Sequence, residues 1–276
     1  MSSPLPGLYS LYGQPVSHSL SPLMFNYTFE KQGLDCKYTA IDVDPERLQA
    51  AIQDARSQGI NGFNVTMPHK VAIIPLLDKI SDKANQIGSV NTVIRNPQGL
   101  EGHNTDGEGA LKALIASNFD PKGARVLVIG AGGTARAIVH TLSTEAEEIV
   151  LLNRSTEKAR SIVEDTKGAA KTSFGPLSKE KLEENIQKVD LIVNATPTQT
   201  GSLLDKFGVS IDHSNAWIFD LAYDNARAGP IPSKQIHPLE LLVQQASLSY
   251  EIWFARPGPL ELMRSILVDH IKRDWR

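Results

Sequence analysis

The chain has 276 residues, of which 41% are hydrophobic and 21% are charged, and its formal net charge is −3 at pH 7. This composition excludes a chain that is disordered throughout, and the length suffices for two domains, since a domain usually has about 100 to 200 residues. The slight negative charge argues against nucleic acid as a partner, because a phosphate backbone is bound by a surplus of Lys and Arg.

Strand-like and helix-like patterns alternate from the start of the chain. They predict a strand over 8–12, a helix over 22–32, a strand over 38–43, a helix over 45–58 and a strand over 62–65. Such alternation is typical of βαβ units and predicts a largely parallel sheet with helices packed on it. Because a proline is tolerated in the first turn of a helix, Pro68 predicts a further helix over 68–77.

A second alternating series follows a polar connection at 117–123, which contains proline and glycine. It predicts strands over 125–129, 149–152, 190–194 and 217–221, with a helix after Gly133. This order is that of a Rossmann unit. After Pro238 the pattern predicts helices over 241–249 and 260–272. We therefore expect an α/β protein with two domains.

The strand predicted over 125–129 is followed by a glycine-rich motif, whose residues are Gly130, Ala131, Gly132, Gly133, Thr134 and Ala135. It satisfies the pattern G-x-G-x-x-G/A between a strand and a helix. Glycines there allow a tight turn and let the backbone approach a pyrophosphate, which rests on the N-terminus of the helix. The motif predicts a dinucleotide site, and the alternative is a glycine loop without a ligand.

An arginine follows the next predicted strand, at the place where an NAD-dependent enzyme has an acidic residue on the ribose. The segment consists of Asn153, Arg154 and Ser155, with Lys158 three residues further on. A guanidinium forms paired hydrogen bonds with a phosphate, whereas a carboxylate repels one. The sequence therefore favours NADP (NADPH) as the cofactor. The alternative is that Arg154 and Lys158 are a solvated basic start of a helix.

Three short polar segments precede the glycine-rich motif, at 17–22, 64–70 and 104–107. Together they contain hydroxyls, amides, one lysine and one aspartate, which are groups that hold a small polyhydroxylated acid. In the first turn of the helix predicted over 68–77, Lys70 would face the positive end of the helix dipole and become a better proton donor. The alternative is an ordinary surface lysine.

Asp106 is the candidate partner of that lysine. Thr105 and Glu108 fit a capping box for a helix that runs to Leu114, and Asp106 would lie in its first turn. The helix dipole there keeps a carboxylate ionised and able to hold an ammonium group. A pair of Lys70 and Asp106 is therefore chemically reasonable, provided that the fold brings the two residues together.

Cysteine and histidine usage limits the other kinds of site. Cys36 is the only cysteine, so it forms neither an internal disulfide nor a cysteine-based zinc site, and this favours the reducing cytoplasm. No two histidines have the helical spacing that presents both imidazoles to one metal, so we expect no metal. We also expect no membrane partner, because the chain has no run of about eighteen apolar residues and no signal-peptide pattern.

The order of these motifs resembles that of the shikimate dehydrogenase family, over nearly the whole chain. The resemblance rests on segments 13–15 and 18–22, 64–70, 88–92, 102–107, 130–133, 153–155 and 194–196, and on Gln245 and Ala246 followed by Trp253. It implies an N-terminal α/β substrate domain and a Rossmann dinucleotide-binding domain, with the C-terminal helices returning to the substrate domain. The implied boundaries are 1–106 with 241–276 for the substrate domain and 107–240 for the NADP-binding domain.

The resemblance also implies a role for each matching residue. Ser19 and Ser21 would bind the carboxylate of the substrate, and its ring hydroxyls would be held by Asn64, Thr66, Asn91 and Gln245. Lys70 and Asp106 would be the catalytic pair in a reversible, NADPH-dependent reduction of 3-dehydroshikimate to shikimate. Thr196 and Tyr223 would join residues 130–135, 153–155 and 158 in binding the cofactor.

The substrate and the presence of catalytic activity both have alternatives that stay open. The chain departs from the family pattern over 236–242, where a glycine-rich turn is replaced and Glu240 would crowd the nicotinamide. The rivals are a quinate or quinate/shikimate dehydrogenase of the same family and, in another class, an inactive protein that senses either acid. Paired serines at the carboxylate favour shikimate, because quinate carries an additional hydroxyl on that carbon. We expect a monomer or a homodimer.

Overall fold

The described part of the chain folds into two six-stranded sheets, each with helices packed against it. A computed structural model describes residues 7–211, 214–222 and 234–274. The chain divides into two compact units, which we call unit 1 (residues up to 105 and from 242 onward) and unit 2 (residues 106–241). The predicted α/β class is confirmed.

The strands are β1 (Gly7–Gly13), β2 (Cys36–Asp42), β3 (Gly62–Val65), β4 (Lys79–Ile80), β5 (Thr92–Asn96), β6 (Gly99–His103), β7 (Arg125–Ile129), β8 (Glu148–Asn153), β9 (Lys171–Pro176), β10 (Leu191–Asn194), β11 (Trp217–Asp220) and β12 (Gln235–Ile236). The helices are α1 (Ser21–Lys31), α2 (Leu48–Ser57), α3 (Asp82–Ile87), α4 (Asp106–Ala116), α5 (Gly133–Leu142), α6 (Thr156–Asp165), α7 (Lys179–Ile186), α8 (Thr200–Phe207), α9 (Pro238–Phe254) and α10 (Leu260–Asp274).

The sheet of unit 1 has the strand order β2-β1-β3-β5-β6-β4. β1 is parallel to β2 and β3, as the alternating pattern predicts, but β5 is antiparallel to both β3 and β6. The predicted parallel arrangement is confirmed for β1, β2 and β3, β4 is parallel to β6, and β5 is the strand that departs from it. The reason is local: only two residues, 97 and 98, separate β5 from β6, and so short a connection joins antiparallel strands only.

The prediction of a helix over 68–77 is wrong. The segment consists of turns and one short 3₁₀ helix, Ile74–Leu76. The carbonyl of Lys70 accepts a hydrogen bond from the backbone N–H of Val90 at 2.8 Å, so it is taken out of any helical hydrogen-bond pattern. Tertiary pairing with the segment before β5 therefore overrides the local preference, and the dipole argument for Lys70 does not apply.

The sheet of unit 2 has the strand order β12-β11-β10-β7-β8-β9, and all its described pairs are parallel. This is the Rossmann order, in which strands are added in one direction from β7 to β9 and in the other direction from β10 to β12, so that the strand order reverses between the neighbours β7 and β10. The central strands are apolar on both faces and lie between two clusters of buried side chains. Ligands of such sheets bind at the carboxyl ends of the strands beside the reversal, which places Gly130 and Thr196 at the expected edge.

The C-terminal helices pack in unit 1. α9 is longer than the pattern predicts, since it begins at Pro238 and ends at Phe254. From Leu242 onward it belongs to unit 1, where the indole N–H of Trp253 donates to the carbonyl of Val93 at 3.0 Å. This contact joins the C-terminal part of the chain to β5. It places other residues of α9, such as Gln245, close to side chains at the end of β3 and the start of β5.

Candidate active site

The turn after β7 has the shape that a pyrophosphate site requires. Gly130 has a φ of +107°, and a Cβ at this position would lie 3.0 Å from the carbonyl oxygen of Ala195, so only glycine fits. Gly132 is the N-cap residue of α5 and gives no side-chain cap, and a Cβ there would meet no atom within 4 Å. The first N–H groups of α5 therefore keep their capacity to bind an anion, and the turn leaves room for one.

The end of β8 carries two exposed cations. The side chain of Asn153 donates to the carbonyl of Ser155 at 2.9 Å, and Ser155 caps α6 by accepting from the backbone N–H of Lys158 at 3.4 Å. Arg154 and Lys158 are exposed, and neither forms an ion pair with another described residue. This donor set fits a phosphate on the adenosine ribose, because a guanidinium and an ammonium group both lie where β8 ends.

A buried hydrogen-bond cluster holds Thr196 at the end of β10. The side-chain oxygen of Asn194 accepts from the backbone N–H and the hydroxyl of Thr196, at 3.1 and 2.8 Å. Its side-chain nitrogen donates to Asp220 at 2.7 Å. Asp220 Oδ1 also accepts from the backbone N–H and the hydroxyl of Thr200, at 3.0 and 2.7 Å, where α8 begins. Burial raises the pKa of Asp220, although the hydrogen bonds from Thr200 and Asn194 oppose this shift.

We expect the Asp220→Asn variant to become more stable relative to the wild type as the pH rises above about 4. The pKa of Asp220 is raised by burial in the folded protein, so the folded state keeps this proton over a pH window in which the unfolded chain has lost it. The stability that the proton contributes is present at low pH and is lost as the pH rises through the folded-state pKa. An asparagine oxygen accepts the same three hydrogen bonds without the buried charge. Urea unfolding at several pH values measures the difference.

Asp165→Asn is the matched control, because the pKa of Asp165 is shifted in the opposite direction and the stability of this variant should therefore change with pH in the opposite sense. The hydrogen bond from Arg136 lowers the pKa of Asp165, so this carboxylate stabilises the fold above its unfolded-state pKa, and the variant is expected to lose stability as the pH rises. A free-energy gap between Asp220→Asn and the wild type that is constant or shrinks with rising pH would contradict the role of the buried charge.

The segment 236–242 forms the end of β12 and the start of α9. His237 Nδ1 accepts from the backbone N–H of Leu239 at 3.2 Å, so the imidazole caps the helix. Burial lowers the pKa of His237, while the charge of Glu240 opposes this shift, and the neutral ring retains the acceptor that the cap needs. That Glu240 crowds the nicotinamide stays a prediction. Tyr223 lies outside the described residues.

In unit 1, the loop after β3 carries Lys70. The backbone N–H of Thr66 donates to the carbonyl of Tyr12 at 2.8 Å, and a Cβ on Gly13 would lie 2.2 Å from the Thr66 methyl group, so glycine is required for this approach. His69 is buried, and its Nε2 lies 2.6 Å from the carbonyl oxygen of Val43. These contacts, with the bond from Val90 to the Lys70 carbonyl, fix a half-buried Lys70 by its backbone.

The two predicted carboxylate ligands lie at the N-terminus of α1. The N-cap residue is Leu20, which gives no side-chain cap, and no acidic residue occurs in the first turn. Neither serine is therefore the N-cap residue, although the hydroxyl of Ser19 accepts from the backbone N–H of Ser21 at 3.2 Å. A carboxylate fits beside this helix end, because the helix dipole and unpaired N–H groups favour an anion.

Three of the four predicted hydroxyl ligands, Asn64, Asn91 and Gln245, meet in one hydrogen-bond network, and Thr66 lies outside it. Its members are Asn64, Asn91, Thr92, Thr105, Gln245 and Ser249. Asn91 and Gln245 are 154 residues apart in sequence, yet Asn91 Nδ2 donates to Gln245 Oε1 at 3.1 Å. Asn64 accepts from the Tyr38 hydroxyl at 2.9 Å and donates to Ser249 at 3.0 Å. Thr92 and Ser249 are members that the sequence motifs do not predict, although Ser249 follows Gln245 by one helical turn.

Asp106 is the first residue of α4 and is 1% exposed. The hydroxyl of Thr134 donates to its Oδ2 at 3.5 Å, which links α4 to the glycine-rich motif within unit 2. The hydroxyl of Thr105 accepts from Asn91 Nδ2 at 2.9 Å, and Glu108 pairs with Lys112 at 3.3 Å. Lys70 belongs to unit 1 and Asp106 to unit 2, so their pairing stays a prediction.

Comparison with known proteins identifies the family. One family model, the shikimate dehydrogenase substrate binding domain, matches residues 11–93, and another, shikimate / quinate 5-dehydrogenase, matches residues 113–223. A shikimate dehydrogenase (NADP(+)) from Methanopyrus kandleri is 39% identical in an alignment of 279 positions, gaps included, which covers 95% of this chain and 95% of that protein. The chain belongs to the shikimate dehydrogenase family.

Solved structures of shikimate dehydrogenase relatives share the fold. The shikimate 5-dehydrogenase from Listeria monocytogenes in complex with shikimate and NAD has a TM-score of 0.81 and 30% identity, and covers 95% of this chain and 96% of that one. The quinate dehydrogenase from Corynebacterium glutamicum in complex with NAD has a TM-score of 0.78 and 25% identity, and covers 95% and 99%. The resemblance inferred from the motifs is confirmed.

Two further observations concern metals and membranes. Within residues 7–211, 214–222 and 234–274, no group of three or more His, Cys, Asp or Glu side chains is arranged to hold a metal ion. In the same part of the chain, no helix has the length and apolar character needed to cross a membrane.

Proposed function

We propose that the chain catalyses the reversible, NADPH-dependent reduction of 3-dehydroshikimate to shikimate. The observation that carries the proposal is the meeting of the Asn91 and Gln245 amides, from distant parts of the sequence, in the same unit as Lys70. An arrangement of neighbouring amides and hydroxyls suits a ligand with several hydroxyls, since each can donate or accept a hydrogen bond. Family membership supports the same reaction.

The proposed substrate domain is residues 1–106 with 241–276. At the N-terminus of α1, Ser19 and Ser21 bind the carboxylate, because their hydroxyls add to the anion preference of the helix end. The ring hydroxyls are held by Asn64, Thr66, Asn91 and Gln245. Binding through several side chains fixes the ring so that one carbon faces the cofactor, which reduces the entropy cost of the reaction step.

Lys70 is the proposed proton donor. NADPH, when bound, supplies the hydride for the C3 carbonyl carbon. Lys70 Nζ donates a proton to the carbonyl oxygen in reduction and accepts one from the hydroxyl in oxidation. Asp106, at the N-terminus of α4, holds the ammonium group of Lys70 and thereby its direction.

The proposed cofactor domain is residues 107–240. The pyrophosphate is held by the backbone of Gly130, Ala131, Gly132, Gly133, Thr134 and Ala135. The phosphate on the ribose is bound by Arg154 and Lys158, with Asn153 and Ser155 shaping the turn, and Thr196 and Tyr223 bind the nicotinamide side. We also propose a cytoplasmic monomer or homodimer, and the single cysteine supports that location.

The proposal predicts that the purified chain oxidises shikimate with NADP⁺, with a larger kcat/KM than for quinate or for NAD⁺. Initial rates for both acids with both cofactors measure this. A higher kcat/KM for quinate would assign the quinate dehydrogenase activity instead, as in the related protein from Corynebacterium glutamicum. Calorimetric binding of shikimate without turnover with either cofactor would identify a sensing protein.

A further inference from the structure

Thr92 and Ser249 lie in the centre of the network in unit 1, and the proposed function gives neither of them a role. They are 0% and 1% exposed, and their hydroxyl oxygens are 2.8 Å apart. Asn64 Nδ2 lies 3.1 Å from the first oxygen and 3.0 Å from the second. A buried set of hydroxyls and amides in which each group has a partner is rigid, and the direction of each hydrogen bond is determined by its neighbours.

The donor and acceptor ends of the Asn91 amide can be assigned from a backbone group. The N–H of Thr105 donates to Asn91 Oδ1 at 2.8 Å, and a backbone N–H can only donate, so this end of the Asn91 amide is the oxygen. The Thr92 hydroxyl donates to the same oxygen at 3.1 Å. The other end of the amide is therefore the NH₂ group, which donates to Thr105 Oγ1 at 2.9 Å and to Gln245 Oε1 at 3.1 Å.

This arrangement fixes the orientation of the Gln245 side-chain amide. Because Asn91 Nδ2 can only donate, the Gln245 atom that faces it is the oxygen, and Gln245 Nε2 lies at the opposite end. Gln245 is the only residue between 241 and 250 that is not buried, and its Nε2 forms no hydrogen bond with the described residues. Gln245 thus turns its oxygen toward Asn91, and its two N–H donors, at the opposite end of the amide, stay available to a ligand.

Ser249 fixes the position of the helix that carries Gln245. Because the Thr92 proton goes to Asn91, the Ser249 hydroxyl donates to Thr92 on β5 at 2.8 Å, and it accepts from Asn64 on β3 at 3.0 Å. The Ser249 oxygen also lies 3.0 Å from the Gln245 carbonyl oxygen, within α9. These contacts join one turn of α9 to two strands, and they set which side of α9 faces the network. Loss of either hydroxyl would leave a buried partner unsatisfied and loosen the Asn91 amide.

We propose that Thr92 and Ser249 are positioning residues that, with the backbone N–H of Thr105, orient Asn91 and through it Gln245 so that Gln245 presents its N–H donors to the substrate. The inference rests on the proposed function for the identity of the substrate. It adds a requirement on specificity: the substrate group that contacts Gln245 Nε2 must be an acceptor, such as a hydroxyl or carboxylate oxygen with a free lone pair.

Thr92→Val and Ser249→Ala test the proposal. Each is expected to raise the KM for shikimate about three- to ten-fold, the effect of one weakened hydrogen bond, while kcat and the KM for NADP⁺ change less than about twofold. Thr92→Ser restores the hydroxyl and is expected to restore the KM. The controls remove buried hydroxyls outside the network: Thr28→Val in α1 for Thr92 and Ser247→Ala in α9 for Ser249. A merely structural role would lower the active fraction and leave the KM unchanged.

Hydrogen exchange of side-chain amides gives a second measurement that does not depend on turnover. In ¹⁵N-labelled wild type, the Asn91 NH₂ is expected to exchange more slowly than the Gln245 NH₂, with Asn91→Asp identifying the first signal. Thr92→Val is expected to speed the Asn91 exchange about three- to ten-fold, and Thr28→Val is not. If wild type has no turnover, the proposed function fails and exchange alone decides this inference. Unchanged exchange with an unchanged KM would overturn it.

Discussion

Replacing Lys70 by methionine is expected to lower kcat for shikimate oxidation about 10²- to 10⁴-fold, the usual contribution of a positioned general acid or base. The methionine keeps most of the aliphatic stem and removes the ammonium group that would exchange a proton with the substrate oxygen. The free energy of unfolding is expected to change little, because the Lys70 loop is held by backbone bonds from Val90 and by His69 against Val43. Steady-state rates and urea unfolding measure the two quantities.

Lys79→Met is the matched control for this variant. Lys79 is an exposed lysine of unit 1 whose ammonium group lies 3.1 Å from Glu101, and an exposed ion pair contributes little to stability. Its kcat is expected to stay within about twofold of the wild type. A Lys70→Met protein with nearly normal kcat would remove Lys70 from the mechanism, whereas an unfolded one would point to a structural role that the loop contacts do not predict.

The features that could be predicted from sequence are those whose cause is local. β7 is a short strand whose apolar residues 126–129 are followed directly by Gly130, so adjacent residues determine both the strand and the turn after it. The same holds for β3 and for α5. In each case a periodic pattern and a glycine or proline mark the limits, so neighbouring residues determine the structure.

The features that could not be predicted depend on distant partners. Pro68 satisfies the local rule for a helix start, but the pairing of Val90 with the carbonyl of Lys70 leaves that segment as turns. Thr92 and Ser249 are 157 residues apart, and neither has a sequence signal for a buried contact at 2.8 Å. Helical spacing placed Ser249 on the same side of α9 as Gln245, which was the one available indication.

Arg154→Ala is expected to raise the KM for NADPH about 10- to 100-fold, the effect of losing a hydrogen bond to a charged group, with little change in the KM for NADH. Arg154 is exposed at the end of β8, and it forms no ion pair with another described residue, so the guanidinium needs no internal partner to be displaced before it binds a phosphate. Because NADH lacks the phosphate on the ribose, only the NADPH reaction loses this contact. Initial rates with the two cofactors and one fixed concentration of 3-dehydroshikimate measure the difference.

Arg160→Ala distinguishes this contact from a general loss of positive charge. Arg160 is also exposed on α6, but its guanidinium lies over the ring of Phe174 at 5.5 Å from the centroid, whereas Arg154 has no such described partner. Both variants change the net charge equally, so a long-range electrostatic effect would raise the KM for NADPH in both and would weaken with added salt. A direct phosphate contact raises it in Arg154→Ala alone. An equal loss with NADH in Arg154→Ala would instead assign the arginine to adenine stacking, which both cofactors share.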